Sequence, residues 1–177
     1  GRATGEVAVA LSSASAIALM PWAMTAFRKR YPEPLLKISE GLFQSVEGEI
    51  MEGRLDFYVG PFDPQISPTQ LSVEKLFDNH RIVVARVGHP MADARSLRDL
   101  ADAEWAHVAL SPRTSEAVRS EADFDEMFEK LGLPKPHIVM HARSALITML
   151  AVANSDLLAI LPQQWLESPA TGNKLIA

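Results

Sequence analysis

Hydroxyl and arginine side chains cluster where three predicted strands give way to helices. Ser12-Ser13-Ala14-Ser15 follows the apolar run Glu6–Leu11, the polar stretch Ser111–Ser120 contains two arginines, and Arg143-Ser144 precedes an apolar segment. At the carboxyl ends of strands in an α/β sheet, the N–H groups and dipole of the following helix favour an anion or a carbonyl oxygen. Each junction alone is more often a plain helix cap. Taken together, the three junctions indicate a binding site for a small polar ligand.

Catalytic motifs are absent from the sequence. It contains no Gly-rich phosphate loop, no H-E-x-x-H pattern, no G-x-S-x-G nucleophile elbow and no cysteine. We therefore expect neither an enzyme nor a cofactor. The histidines fall on separate predicted strands and turns, where packing or solvated roles are the default, so we expect no metal site. They are His80, His89, His107, His137 and His141.

Composition narrows the class of protein. A chain of 177 residues that is 47% apolar can bury the core of one large domain or of two small lobes. Its longest apolar stretches, such as Ala145–Ala153, are far shorter than the roughly 18 residues that span a bilayer. The lack of cysteine fits a reducing cytoplasm. The net charge of −5, with Lys and Arg scattered, gives no basic stripe for nucleic acid, so we expect a soluble cytoplasmic protein that contacts DNA only through another segment.

Strand and helix patterns alternate along the opening sixty residues. They predict strands at Glu6–Leu11, Leu35–Glu40 and Leu55–Gly60, with helices at Ala16–Tyr31 and Phe43–Gly53. Pro21 falls near the start of the first helix, where a missing N–H is tolerated. A β-α-β-α-β unit of this kind favours right-handed crossovers and a parallel sheet.

A proline-rich stretch, Pro61–Pro68, predicts a lobe boundary. We assign residues 1–62 to a first subdomain, 63–68 to a crossover or hinge and 69–177 to a second subdomain. The α/β alternation continues in the second subdomain. Its predicted strands are Leu71–Phe77, Arg81–Val87, His107–Leu110, Ile138–His141 and Leu157–Leu161, and its predicted helices are Ser96–Ala101, Glu121–Leu131 and Ser144–Asn154.

Several short motifs follow one another in a familiar order. They are Gly5-Glu6-Val7, Met20-Pro21, Gly53-Arg54-Leu55-Asp56 as a G-x-L-D signature, His89-Pro90, Gly132-Leu133-Pro134, and Ser144 leading to Leu157–Pro162. In this order the chain resembles the effector-binding domain of LysR-type transcriptional regulators over essentially its whole length. The resemblance implies two Rossmann-like lobes of the periplasmic-binding-protein type II kind, with a small-molecule effector in a cleft between them. It also implies promoter binding through a separate N-terminal helix-turn-helix.

The resemblance further implies which residues contact the effector and how chains associate. The implied contacts are Ser12, Ser13, Leu42, Phe43, Gly60 and Pro61 in the first lobe, and Arg119, Ser120, Arg143 and Ser144 in the second. Phe43 stands where many relatives carry a hydroxyl, and the opening strand and helix are similar to those of regulators of toluenesulfonate degradation. Both features favour an aromatic acid or sulfonate, which the arginines could pair. A homodimer or tetramer is implied, with the first helix and second strand docking against a partner's other lobe.

Two alternatives stay open beside the sensor hypothesis. A solute-binding protein of a transport system shares the two-lobe layout and binds by the same closure. An enzyme of this architecture ranks third, because no acid–base pair or nucleophile can be named. The resemblance also implies a return strand and a last helix that normally complete the first subdomain. We expect either that they lie beyond Ala177 or that the first subdomain has an exposed core edge.

Overall fold

The chain forms two compact units in the computed structural model. The structure describes residues 5–62, 70–108, 124–168 and 173–177. Unit 1 comprises Gly1–Asn79 and unit 2 comprises His80–Ala177. Residues 70–79 therefore group with unit 1, although the sequence assigned them to the second subdomain. In the described ranges, no helix combines the length and the apolar character that crossing a bilayer requires.

Unit 1 is built on a parallel sheet. Its elements are β1 (Glu6–Leu11), α1 (Ser13–Arg30), β2 (Leu35–Glu40), α2 (Phe43–Met51) and β3 (Phe57–Val59). The strand order is β2-β1-β3, with both pairs parallel. The predicted β-α-β-α-β unit is confirmed. The chain steps from β1 to one neighbour and then returns past β1 to the other, so right-handed crossovers put α1 and α2 on opposite faces of the sheet.

Local hydrogen bonds explain where the elements of unit 1 begin and end. The Ser12 side chain accepts from the N–H of Ser15, so α1 begins three residues before its predicted start. This places Pro21 inside the helix rather than in its first turn, and the missing N–H removes one hydrogen bond from the helix. Gly53 adopts a left-handed φ of 70° after α2 and donates to the carbonyl of Ile50, as a C-terminal cap glycine does.

The predicted strand Leu71–Phe77 is wrong. The described residues of this segment pair with no neighbouring strand, and Val73 and Leu76 are 56% and 57% exposed. Apolar alternation favours extended backbone, but a strand also requires a hydrogen-bonded neighbour, and the described part of unit 1 supplies none on this side.

Among its described residues, unit 2 has one three-stranded sheet and one two-stranded sheet. Its strands are β4 (Arg81–Arg86), β5 (Glu104–Val108), β6 (His137–Ala142), β7 (Ala159–Pro162) and β8 (Leu175–Ile176). β5 and β6 form the two-stranded sheet and are parallel, whereas the three-stranded sheet has the order β7-β4-β8, with β4 antiparallel to both neighbours. The predicted strands on β4 to β7 are confirmed with shifted ends, and the sequence missed β8. The predicted junction Ser111–Ser120 lies outside the described residues.

The described part of unit 2 contains three helices. They are α3, helical over residues 124–129, then α4 (Ala145–Ala153) and α5 (Gln164–Glu167). A 3-10 turn at Leu97–Leu100 replaces the predicted short helix, and Asp99 supports it. The backbone N–H of Arg95, together with the hydroxyl and N–H of Ser96, holds the pKa of Asp99 below its usual value, because all three groups donate to its carboxylate.

An aromatic cluster forms the centre of unit 2. Trp105 and Phe128 are fully buried, and their ring centroids lie 5.7 Å apart in an edge-to-face arrangement. Phe124 completes the cluster at 5.2 Å from Trp105 and 5.4 Å from Phe128. Leu158 bridges to Trp105 in the sheet and is also buried. This cluster joins β5, α3 and the approach to β7 in one core.

Candidate functional site

The strand order of unit 1 reverses between β1 and β3, and this reversal marks the candidate site. The N–H of Ser12 donates to the carbonyl of Val59 over 2.9 Å, which brings the ends of the two strands together. A side-chain carbon on Gly60 would lie 3.0 Å from Cβ of Ser12. Open α/β sheets bind ligands in the crevice outside the carboxyl ends of strands at such a switch point.

Ser12 has a structural role at this point. Its hydroxyl accepts from the N–H of Ser15 at 3.2 Å and donates to the Ser15 hydroxyl at 3.0 Å, and both residues are 3% exposed. The Ser12 side chain is therefore a helix cap, the common role of a hydroxyl at this position. Ser13, the first residue of α1, is more exposed. The positive end of the α1 dipole lies at these residues.

A cavity of about 700 Å³ opens beside the switch point. Four of the six predicted contact residues in unit 1 line it: Ser12, Phe43, Gly60 and Pro61. Ser13 and Leu42 are not part of the lining. The lining also includes Leu71–Asn79, the segment that the sequence placed in the other subdomain. The volume of the cavity falls in the range of pockets that hold small molecules.

Three aromatic rings meet in this lining. The Phe43 ring centroid lies 4.7 Å from that of Phe62, in an edge-to-face arrangement, and 5.7 Å from that of Tyr58. Phe43 is only 8% exposed, so its neighbours cover most of the ring. The sequence analysis named Phe43 and missed Tyr58 and Phe62. The signal available was their position on either side of Gly60-Pro61.

Unit 2 presents the second predicted set of contacts. Ser144 caps α4, because its side chain accepts from the N–H of Ile147 at 3.4 Å. Arg143, the residue before it, is exposed. Arg119 and Ser120 lie outside the described residues. Beside the end of β6, the rings of His107 and His141 approach to 5.6 Å between centroids.

Two histidines, His89 and His107, are buried and have structural surroundings. His89 is buried, and its Nδ1 accepts from the N–H of Met91 at 3.0 Å, so the ring hydrogen resides on Nε2 and is donated to the carbonyl of Asp156 at 3.0 Å. His107 stacks on Phe124 at 5.8 Å. Across the part of the chain that the structure describes, no three His, Cys, Asp or Glu side chains are grouped so as to hold a metal ion.

Known proteins match the chain over most of its length. The family model described as "LysR substrate binding domain" covers residues 1–177. A stretch of 142 residues, 80% of the chain, is 26% identical to the HTH-type transcriptional regulator GalR of Pseudomonas putida, of which it covers 34%. The regulator TdcA of Escherichia coli K12 is 25% identical over 97% of the chain and 52% of its own length. The chain therefore spans about half or less of these relatives.

Two solved structures share the fold. The cofactor-binding domain of the Cbl transcriptional regulator superposes with a TM-score of 0.74 at 22% identity, covering 98% of this chain and 73% of that one. The effector binding domain of QuiR, solved in complex with shikimate, superposes with a TM-score of 0.65 at 16% identity and covers 99% of this chain and 81% of that one.

Proposed function

The chain belongs to the family of LysR substrate binding domains, and we propose that it holds its effector in unit 1, at the carboxyl end of the sheet. The domain is thus the effector-binding part of a LysR-type regulator, and the solute-binding alternative is not favoured. The observation that supports the location is the cavity at the switch point between β1 and β3.

A small organic anion fits this location. The first N–H groups of α1 lie at Ser13 and Ala14, and a helix N-terminus attracts negative charge. No acidic residue stands in the first turn of α1, so no side chain of that turn opposes an anionic ligand. We propose an aromatic carboxylate or sulfonate as the effector, because the lining around Phe43 is aromatic. The lining also includes Lys75 and three carboxylates, those of Asp56, Glu74 and Asp78. In unit 2 we propose contributions from Arg143 and Ser144, and from Arg119 and Ser120. The shikimate bound to QuiR is likewise a small carboxylic acid.

A thermal-shift screen tests this proposal. We expect one class among aromatic carboxylates, aromatic sulfonates, muconate-type diacids, amino acids and sugars to raise Tm selectively, and that class to be aromatic acids. Binding stabilises the folded state by mass action, by about 2.7 kcal/mol at a hundredfold excess over Kd. Ser13→Ala and Arg143→Ala are expected to abolish the shift while leaving the Tm of the unliganded protein nearly unchanged.

Ser39→Ala is the matched control for Ser13→Ala. Ser39 is an exposed residue of β2 that belongs neither to the first turn of α1 nor to the cavity lining, so its variant should keep the full shift. A shift produced only by amino acids or sugars would contradict the proposal, as would a shift that survives in Ser13→Ala and Arg143→Ala alike.

We also propose that the domain self-associates through α1 and β2. Only Ala14 and Ser15 are buried along the 18 residues of α1, although the helix is largely apolar. A helix that is apolar on all sides is normally covered. On β2, Leu35 and Ile38 are 58% and 41% exposed.

Sedimentation velocity over a dilution series checks this surface. We expect reversible dimers, and we expect Leu35→Glu to raise the dimer dissociation constant roughly tenfold or more, because a charge would be buried at the interface. Met51→Glu is the matched control, since Met51 is 39% exposed at the end of α2 and belongs to neither α1, β2 nor unit 2. A concentration-independent monomer, or equal weakening by both variants, would refute the surface.

Regulation by the whole protein follows as a further proposal. The relatives are HTH-type transcriptional regulators of about twice this length or more. We propose that a helix-turn-helix in the same polypeptide binds promoter DNA in the cytoplasm. We further propose that the effector acts by favouring one arrangement of the regulator over another. Such a role requires no catalytic step in this domain.

A further inference from the structure

We infer that Tyr58 and Phe62 form a binding surface for a flat aromatic ring whose acid group is attached directly to it. We call these two side chains the ring platform. This inference rests on the proposed function, because it names the shape and chemistry of the effector within the same cavity.

Phe43 packs against both rings of the ring platform and holds them in place. Phe43 makes an edge-to-face contact with Phe62, at an interplanar angle of 87°, and a tilted contact with Tyr58, at 60°. Phe43 itself is almost fully covered, whereas Tyr58 and Phe62 are partly exposed and both line the cavity. Phe43 is thus the backing of the surface, and the two outer rings are the side chains that a ligand can reach.

Tyr58 is held by a second contact. Its hydroxyl donates to the carbonyl of Pro61 at 3.3 Å, across the turn that follows β3. The phenol end of the side chain lies directly over Gly60, in the space that a side chain at that position would occupy. A ring held at both ends loses little conformational freedom when a ligand packs on it.

The position of Gly60 sets the distance between the ring platform and the helix N-terminus. Tyr58 and Cβ of Ser12 both lie within contact distance of the point where a Gly60 side chain would begin. The part of the ligand on the ring platform is therefore immediately next to the part at the start of α1. A carboxylate or sulfonate bound directly to a ring fits this spacing, and an acid on a flexible chain of several carbons does not.

An aromatic ring gains more here than a saturated ring of the same size. The edge of an aromatic ring is positive and its face is negative, so it forms offset or edge-to-face pairs with Tyr58 and Phe62. A cyclohexyl ring buries similar area but lacks this electrostatic term. The preference expected from one or two such pairs is roughly three- to tenfold in Kd.

Isothermal titration calorimetry on the chain of 177 residues tests this inference. The probes are three matched pairs: benzoate and cyclohexanecarboxylate, 4-hydroxybenzoate and 4-hydroxycyclohexanecarboxylate, and benzenesulfonate and cyclohexanesulfonate. In each pair whose members bind, we expect the aromatic acid to bind roughly three- to tenfold more tightly than its saturated counterpart. We also expect 4-phenylbutyrate to bind more weakly than benzoate, because its acid group is separated from the ring.

Variants assign the preference to the ring platform. Phe62→Leu keeps an apolar side chain but removes a ring. The ratio between the Kd of the saturated acid and the Kd of its aromatic counterpart should therefore fall towards one. Tyr58→Phe keeps the ring and should retain most of the ratio. Phe27→Leu is the control, because Phe27 pairs with Tyr31 on α1 at 5.5 Å and does not line the cavity.

The outcomes separate this inference from the proposed function. Equal affinities within the matched pairs, or a preference that Phe62→Leu leaves intact, would overturn the ring platform and leave the anion site standing. If none of the aromatic acids and none of their saturated counterparts binds, the proposed function is overturned, and the ring platform with it.

Discussion

Replacing Trp105 with alanine is expected to lower the free energy of unfolding of unit 2 by about 3–5 kcal/mol, the usual cost of removing a fully buried aromatic side chain. Trp105 is 0% exposed and contacts both Phe124 and Phe128. Its loss leaves a cavity at the point where β5, α3 and the approach to β7 meet. Urea unfolding followed by circular dichroism measures the change.

An exposed tryptophan provides the matched control for this prediction. Trp22 is 61% exposed on α1, and its alanine variant should change the free energy of unfolding by no more than about 0.5 kcal/mol. Both variants are best compared in the Leu35→Glu background, so that self-association does not contribute to the measured stability. Equal losses for the two variants would show that Trp105 is not the centre of the core.

Gly60→Ala is expected to destabilise unit 1 by about 1–3 kcal/mol, as an extra methyl does in a well-packed site. The new carbon would overlap the phenol end of Tyr58 and lie 3.0 Å from Cβ of Ser12. Tyr58 would have to turn away, which breaks its hydrogen bond to Pro61 and its contact with Phe43. We therefore also expect at least a tenfold loss of affinity for the effector, corresponding to about 1.4 kcal/mol.

Gly48→Ala makes the same chemical change where space is open. Gly48 lies within α2, and a methyl group there has no atom within 4 Å. Alanine is favoured over glycine inside a helix by roughly 0.5–1 kcal/mol, so this variant should be more stable and should bind normally. Chemical denaturation and calorimetry on the two variants give opposite results if the packing around Gly60 is as described. A Gly60→Ala protein with unchanged stability would exclude it.

The architecture of unit 1 could be predicted because its signals are local. Alternation of apolar residues identified β1, β2 and β3, and short connections between strands and helices imposed the parallel order. The hydroxyl at Ser12 likewise acts within three residues, as a cap on α1. Interactions over such short spans depend on residues that are neighbours in the sequence, so the sequence alone predicts them.

Non-local contacts account for what the sequence did not reveal. Leu71–Phe77 has the composition of a strand, but strand formation depends on a neighbour that no local pattern specifies. Tyr58 and Phe62 belong to the candidate site because Phe43, fifteen and nineteen residues earlier, packs against both of them. Such contacts arise only when the sheet has brought distant segments together. The division after Asn79 has the same origin, since prolines mark a turn but not the unit to which the next segment belongs.

The carboxylate of Asp56 fixes the register between β1 and β3. Asp56 exchanges two hydrogen bonds with Ala8, since its N–H donates to the Ala8 carbonyl and its Oδ2 accepts from the Ala8 N–H, both at 2.8 Å. Four residues further along each strand, this register sets Gly60 opposite Ser12. A slip of one residue would instead place Val59 or Pro61 opposite Ser12. It would also turn every β3 side chain to the other face of the sheet. The G-x-L-D signature, roughly 13 Å from the carboxyl end of the sheet, therefore determines which side chains meet at the candidate site.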